Sequence, residues 1–352
     1  MTAVTVAFIG TGPNPENPQW GTSAAMAYRH ARAYDHLDQC TLVACADLVR
    51  DHAEAFAEEF GFDAVYEDYG EMLRKVQPDI VSVCTPVPTH APIVTDVAAS
   101  GHVRAIHCEK PMASVWKDCE EMAAVCDEHD VQLSFNHQRR YAEETETTKR
   151  LLDDGELGDI ERFEIGGLNL FDFGSHLIDL CNYFNGERPA EWALCQIDYT
   201  EENVRYGTHN ENRALASWAY ENGVNALLAS GSDADLVDCL VRVCCTGGTV
   251  ELWPDDGEAT MRVRRTGEEA FEEYECDERQ MILGAIEDVV TSLQDGTEPL
   301  VSAANVLNAN EIIFGCWESV RQHGRVEFPI DIDDNPLESM VEDGTFTPAP
   351  KK

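Results

Sequence analysis

Residues 4–135 alternate short β-branched runs with longer segments of helical period. Strands are expected at 4–9, 42–46, 80–84, 104–107 and 131–135, and helices at 22–34, 50–60, 92–100 and 114–129. The strand runs are almost continuously apolar, as in "VSVCT", and do not alternate with polar residues. A strand of that kind is covered on both faces. With a helix between each pair, the pattern predicts a doubly wound parallel sheet. Such sheets take their ligands at the carboxyl ends of the strands, so the residues just after each run become the candidates for function.

The period changes after residue 135. A helix is expected over about 140–153. Strands follow near 160–165, 191–199, 214–220, 225–230, 238–244 and 249–252, with weaker ones near 260–264 and 271–274. "YENGV" carries an Asn-Gly hairpin signal. Successive hairpins predict an open, mainly antiparallel sheet, closed by helices near 278–294 and 303–322. The expected division is therefore a parallel-sheet α/β domain at 1–135, a second α/β domain at 136–330 and an irregular acidic tail at 331–352.

Charge limits the partners. The chain has 66 acidic and 25 basic residues among 352, a formal net charge of −41. A surface that acidic repels nucleic acid and anionic lipid. The acids are scattered through the chain, and the sequence holds six lysines against nineteen arginines. That pattern fits adaptation to high salt, as in a halophile, where ions screen self-repulsion. Thirteen cysteines, none in a C-x-x-C, read as small buried hydrophobes of a reduced protein. "TAVTVAFIG" lacks a basic leader and no run reaches the ~18 apolar residues of a membrane span, so a cytoplasmic location is expected.

The turn after the first strand, "IGTG", supplies Gly10, Thr11 and Gly12 as the start of a dinucleotide-binding fingerprint. A proline-rich insertion, 13–20, displaces its third small residue, a role open to Gly21 or to an alanine in 24–27. Asp47 follows the second strand, where an acid accepts from the ribose hydroxyls and repels a 2′-phosphate. NAD is favoured, with Arg50 leaving room for NADP. "CTPVPTH" places Thr85, Pro86 and His90 after the next central strand, and His90 also reads as a helix start. Glu109 and Lys110 follow the strand expected at 104–107. A lysine at a sheet's carboxyl end, in a chain so poor in lysine, is expected to act on a ligand. It can hold a substrate hydroxyl, or move a proton if its pKa falls.

With "IGTG", "AYRHARAY", "VSVCTPVPTH", "CEKPMA", "NHQRRY", "GELGDIERFE" and "GSHLIDLCNYFNG" in order, the chain resembles the glucose–fructose oxidoreductase/inositol dehydrogenase family (Gfo/Idh/MocA). The resemblance implies a Rossmann domain followed by an α/β domain, NAD(P)-dependent oxidation of a sugar, cyclitol or polyol hydroxyl, and a cis bond before Pro111. It also implies that His176 serves as base or substrate ligand with Asp172 beside it. Asp172, His176 and Asp179 stand at i, i+4 and i+7, which would share one helix face. Asp179, a turn deeper, reads as structural, and no metal is required. Only "LNLF" separates the strand of "IERFEIGG" from this segment, whereas the family usually has a substantial loop there. Arg139, Arg140 and Tyr141 could compensate at the cleft or anchor the helix that follows them. The leading expectation is a dehydrogenase using Lys110 and the Asp172–His176 pair. The alternatives are a silent NAD(H)-binding sensor, or lyase or hydrolase chemistry through transient oxidation. A homodimer or homotetramer through the second sheet is expected.

Overall fold

The computed structural model describes residues 3–14, 25–256, 259–277 and 279–351. In chain order its first elements are β1 (Val4–Ile9), α1 (Met26–Asp35), β2 (Cys40–Ala46), α2 (Arg50–Phe60), β3 (Ala64–Tyr66), α3 (Tyr69–Val76), β4 (Ile80–Val83), α4 (His90–Ala99), β5 (Ala105–Cys108), α5 (Trp116–Glu128) and β6 (Gln132–Phe135). Then come α6 (Glu143–Asp153), β7 (Ile160–Gly167), α7 (Gly174–Phe184), β8 (Ala190–Asp198), β9 (Val204–Arg205), β10 (Thr208–His209), β11 (Arg213–Tyr220), β12 (Asn225–Ser230), β13 (Cys239–Cys245), β14 (Gly248–Pro254), β15 (Met261–Arg265) and β16 (Glu272–Tyr274). The last are α8 (Met281–Asp295), α9 (Ala303–Gln322), β17 (Val326–Glu327) and α10 (Pro336–Glu342).

Two compact units result, each built from separated stretches of chain. The first comprises Met1–Ser114, Asp118–Gln138 and Gln280–Ala304. The second comprises Val115–Lys117, Arg139–Arg279 and Asn305–Lys352. In the first, six parallel strands run in the order β3-β2-β1-β4-β5-β6. Every residue of β4 and β5 is buried, as a doubly covered sheet requires. An aromatic cluster fills one face: Phe56 meets Phe8 and Tyr28 edge-on at 5.0 and 4.9 Å between centroids. The expected helix at 278–294 is α8, and it belongs to this unit. Its Ile286 and Val290 join the core around Phe8 and Phe56, with Ile282, Leu283 and Leu293 packed beside them. The sequence shows that this helix has an apolar face but not what covers it.

The second unit holds nine strands in the order β16-β15-β14-β13-β7-β12-β11-β8-β17. All pairs are antiparallel except β7 with β12, so the sheet is mainly antiparallel, as expected, with one parallel pair at its centre. Helices α6 and α7 pack on the strands β7, β13 and β14. On the exposed side, one transverse row follows the register from Leu194 through Ser217, Leu227, Glu164, Arg242, Glu251 and Arg262. Its charged half is closed by ion pairs: Arg242 donates to Glu164 at 2.5 Å and to Glu251 at 2.6 Å. Arg262 donates to the second Glu251 oxygen at 2.5 Å. Its apolar half leaves Leu194 and Leu227 48% and 39% exposed, and Leu215, two residues before Ser217 on β11, is 48% exposed in the next row. The tail departs from the irregular expectation: α10 is capped by Asn335 and buries Leu337 and Met340. All thirteen cysteines are free thiols.

Candidate active site

In the first unit the carboxyl ends of β1, β2 and β4 border a cavity of about 360 Å³ that includes Gly10, Gly12, Asp47, Glu67, Thr85 and Pro86 in its wall. Gly10 has φ +80°, and a Cβ there would lie 2.5 Å from Thr85 Cγ2 and 3.0 Å from the Cys84 carbonyl oxygen. Close approach of the β4 loop therefore demands glycine. Asp47 ties this turn to β2. Its Oδ2 accepts from the backbone N–H of Thr11 (2.8 Å) and Gly12 (3.0 Å) and from the Thr11 hydroxyl (3.1 Å). Oδ1 accepts from the N–H of Val49 at 2.8 Å. Asp47 thus shapes the glycine turn as well as facing the cavity. Glu67 is a second acid on the same wall, which sequence reading missed. The helix start at 22–24 and the position of Gly21 lie outside the described residues.

Two expected cofactor residues turn inward. His90 is fully buried at the start of α4. Its Nε2 lies 2.9 Å from the Thr85 carbonyl, and its Nδ1 lies 3.0 Å from that of Pro111. Burial lowers its pKa. The ring braces the β4 loop against the loop after Lys110 and does not line the cavity. Glu109 is buried as well. Its Oε1 is 2.8 Å from His30 Nε2 and accepts from Asn136 Nδ2 at 2.7 Å, and its Oε2 accepts from the Lys110 N–H at 3.3 Å. Burial acts to raise the Glu109 pKa, but the hydrogen bond and charge of His30 outweigh it and hold the group at about 2. His30, on α1, was not singled out in the sequence; its signal was a histidine on an alanine-rich stripe. Lys110 is half-buried directly after β5, and the Lys110–Pro111 bond is cis.

In the second unit, residues 168–173 lead from β7 into α7. Asn210 and Glu211 hold this short connection: Asn210 Oδ1 accepts from the Asp172 N–H at 3.1 Å and Glu211 Oε1 from the Leu170 N–H at 2.6 Å. Because α7 begins at Gly174, Asp172 precedes the helix and does not share a helical face with His176 and Asp179. The Asp172 carboxylate is buried, and Arg205 of β9 donates to it at 3.4 Å. His176 is buried in the first turn of α7. Asp179 is structural: Arg140 grips it beneath the surface with two hydrogen bonds of 2.8 and 2.7 Å and reaches the half-buried Glu187 at 2.6 Å. Arg140 is therefore an anchor, whereas Arg139 stacks on Phe173. Sequence reading did not foresee Arg205.

The description "Oxidoreductase family, NAD-binding Rossmann fold" matches residues 20–137, and "Oxidoreductase family, C-terminal alpha/beta domain" matches residues 161–328. The chain belongs to this Gfo/Idh/MocA oxidoreductase family. Among individual Gfo/Idh/MocA-like relatives, it is 25% identical over 249 residues to the D-apiose dehydrogenase of Paraburkholderia graminis, covering 64% of each chain. It is 30% identical over 178 residues to the D-glucoside 3-dehydrogenase of Escherichia coli K12, covering 45% of this chain and 50% of that one. Its matches thus span about half to two thirds of those relatives. The aldose-aldose oxidoreductase of Caulobacter crescentus shares the fold with a TM-score of 0.76 at 20% identity, over 93% of this chain and 100% of that one. The glycine turn and the acid-rimmed cavity fit the family's dinucleotide. Among the described residues, no helix is long and apolar enough to cross a membrane.

Proposed function

We propose that the protein is an NAD-dependent dehydrogenase acting on a hydroxyl of a sugar, cyclitol or related polyol. The observation that carries it is Lys110, kept at the carboxyl edge of a family-typical dinucleotide sheet in a chain with six lysines. Bound NAD supplies the hydride-accepting nicotinamide. Gly10, Thr11 and Gly12 would hold its diphosphate side, and Asp47 and Glu67 would exclude a 2′-phosphate by charge. Lys110 holds the substrate hydroxyl through its ammonium, and His176 takes that hydroxyl's proton. Asp172 supports His176 electrostatically, with Arg205 moderating its charge. Lys110 and His176 must then serve one substrate.

Protein in molar KCl, mixed with NAD or NADP and a panel of sugars, cyclitols and polyols, is expected to raise absorbance at the NADH band with NAD preferred. A flat trace with every pair would refute the reading and leave the silent NAD(H) sensor, a role the Arg205 contact on Asp172 would suit.

Exposed Leu194, Leu215 and Leu227 on this sheet face argue for a second copy of the chain over it, since an uncovered apolar face is costly. Sedimentation should give a dimer or tetramer, and Leu227→Glu, facing Glu164 in register, should shift it to monomer. A monomeric wild type at micromolar concentration removes this part of the proposal.

A further inference from the structure

Six arginines are not exposed: Arg139, Arg140, Arg242, Arg262, Arg265 and Arg321. Five of them meet a carboxylate: Asp179 for Arg140, Glu251 for both Arg242 and Arg262, Glu272 for Arg265, and Asp334 for Arg321. Among the described residues Arg139 has no such partner, in a chain holding 66 acids. Its guanidinium lies instead between two rings, 5.2 Å from the Phe173 centroid and 4.8 Å from that of Trp253. Burial disfavours its charge and Glu144 favours it without bonding to it, yet a guanidinium stays protonated in any protein.

The surroundings fix this group in place. Cation–π attraction to the two rings holds the guanidinium without using its N–H donors. Trp253, at the end of β14, has φ +49°. A bulky side chain seldom adopts that region, and residues held there gather at ligand sites. Phe173 leads into α7, and its carbonyl accepts from the His176 N–H at 3.2 Å. The residue under Arg139 is therefore bonded to the first turn of the helix that carries His176.

A guanidinium kept only for packing would be expected to pair with an acid, as the other five do. We propose that Arg139 is the anion anchor of the substrate site, and that the substrate carries a carboxylate: a polyhydroxy acid of the aldonate or uronate type. The proposal rests on the dehydrogenase reading and narrows its substrate class. A fixed planar fork matches a carboxylate through two hydrogen bonds.

The test titrates D-gluconate and D-galacturonate, with D-glucitol, D-galactose and D-glucose 6-phosphate as controls, into wild type and Arg139→Gln in molar KCl. Calorimetry and tryptophan fluorescence report binding, and circular dichroism confirms that the variant is folded. At least one acid should bind wild type, with Kd rising about 10- to 100-fold in Arg139→Gln. Arg139→Lys should fall between, and neutral compounds should change less than twofold. Equal affinity of the acids for Arg139→Gln, or a preference of wild type for neutral compounds or the phosphate, overturns the anchor. Binding lost in the variant without NADH formation from any acid keeps the anchor and sinks the redox reading. Turnover of neutral sugars indifferent to Arg139 does the reverse.

Discussion

Lys110→Ala is expected to remain folded and to bind NADH normally, while kcat on the best substrate drops about 10²- to 10⁴-fold. The side chain sits half-buried after β5, one residue beyond Glu109, whose own carboxylate is committed to His30, Asn136 and the Lys110 N–H. Glu109 therefore positions the lysine's backbone, and its oxygens are already engaged below. An ammonium there can hold a hydroxyl or pass on its proton, and Lys110→Arg separates the two. Arginine keeps the charge but does not deprotonate. If holding dominates, the arginine variant recovers KM and much of kcat. If proton movement dominates, KM recovers while kcat stays low at every pH. Initial rates at several pH values, with NADH fluorescence as the binding control, decide this. An alanine variant within threefold of wild type would remove Lys110 from the mechanism.

The parts of this site that could be read in the sequence depend on neighbours in the chain. β4 and β5 were legible because four successive buried residues leave a mostly apolar run broken only by Ser82 or His107, and the residues after them follow from sheet topology. β3 escaped notice because three half-buried residues at a sheet edge carry no periodic signal, and α3 escaped with it. The three-residue face of Asp172, His176 and Asp179 failed for a longer-range reason. It assumed a helix starting before residue 172, but Asn210 and Glu211, some forty residues onward, hold 170–172 out of helix by accepting from their N–H groups. The pair Arg139 and Arg140 was visible as a pair. Which one is bound to carboxylates depends on Asp179 and Glu187, and no local pattern encodes that.

Beneath Lys110 lies a charge arrangement with a measurable pH signature. Burial opposes protonation of His30, but Cys84, with its sulfur 3.5 Å from Nδ1, and Glu109, at 2.8 Å from Nε2, outweigh it and set the pKa at about 10. His107, whose ring centroid is 5.1 Å from that of His30, goes the other way. Burial first, and the charge of His30 second, push it to about 3. One buried histidine is thus charged and its neighbour neutral. Because His30 titrates higher folded than unfolded, its contribution is complete below about pH 6.5 and disappears as pH rises to 10. Glu109, held near 2, contributes fully above about pH 4.5 and loses this as pH falls. His107 takes up its proton more readily when unfolded, so it too costs stability below about pH 6.5. At roughly 1.4 kcal/mol per unit, the alkaline loss through pH 10 is on the order of 3 to 5 kcal/mol. Urea unfolding at fixed molar KCl should show wild type well above His30→Gln at pH 6.5, and the gap should close by pH 10. A gap constant over that range would mean that His30 is neutral in the folded protein. If His30→Gln does not fold, imidazole NMR of the wild type reads the same titration. Turnover should weaken over the same alkaline range, because Glu109 then loses the cation that fixes it beside the Lys110 backbone.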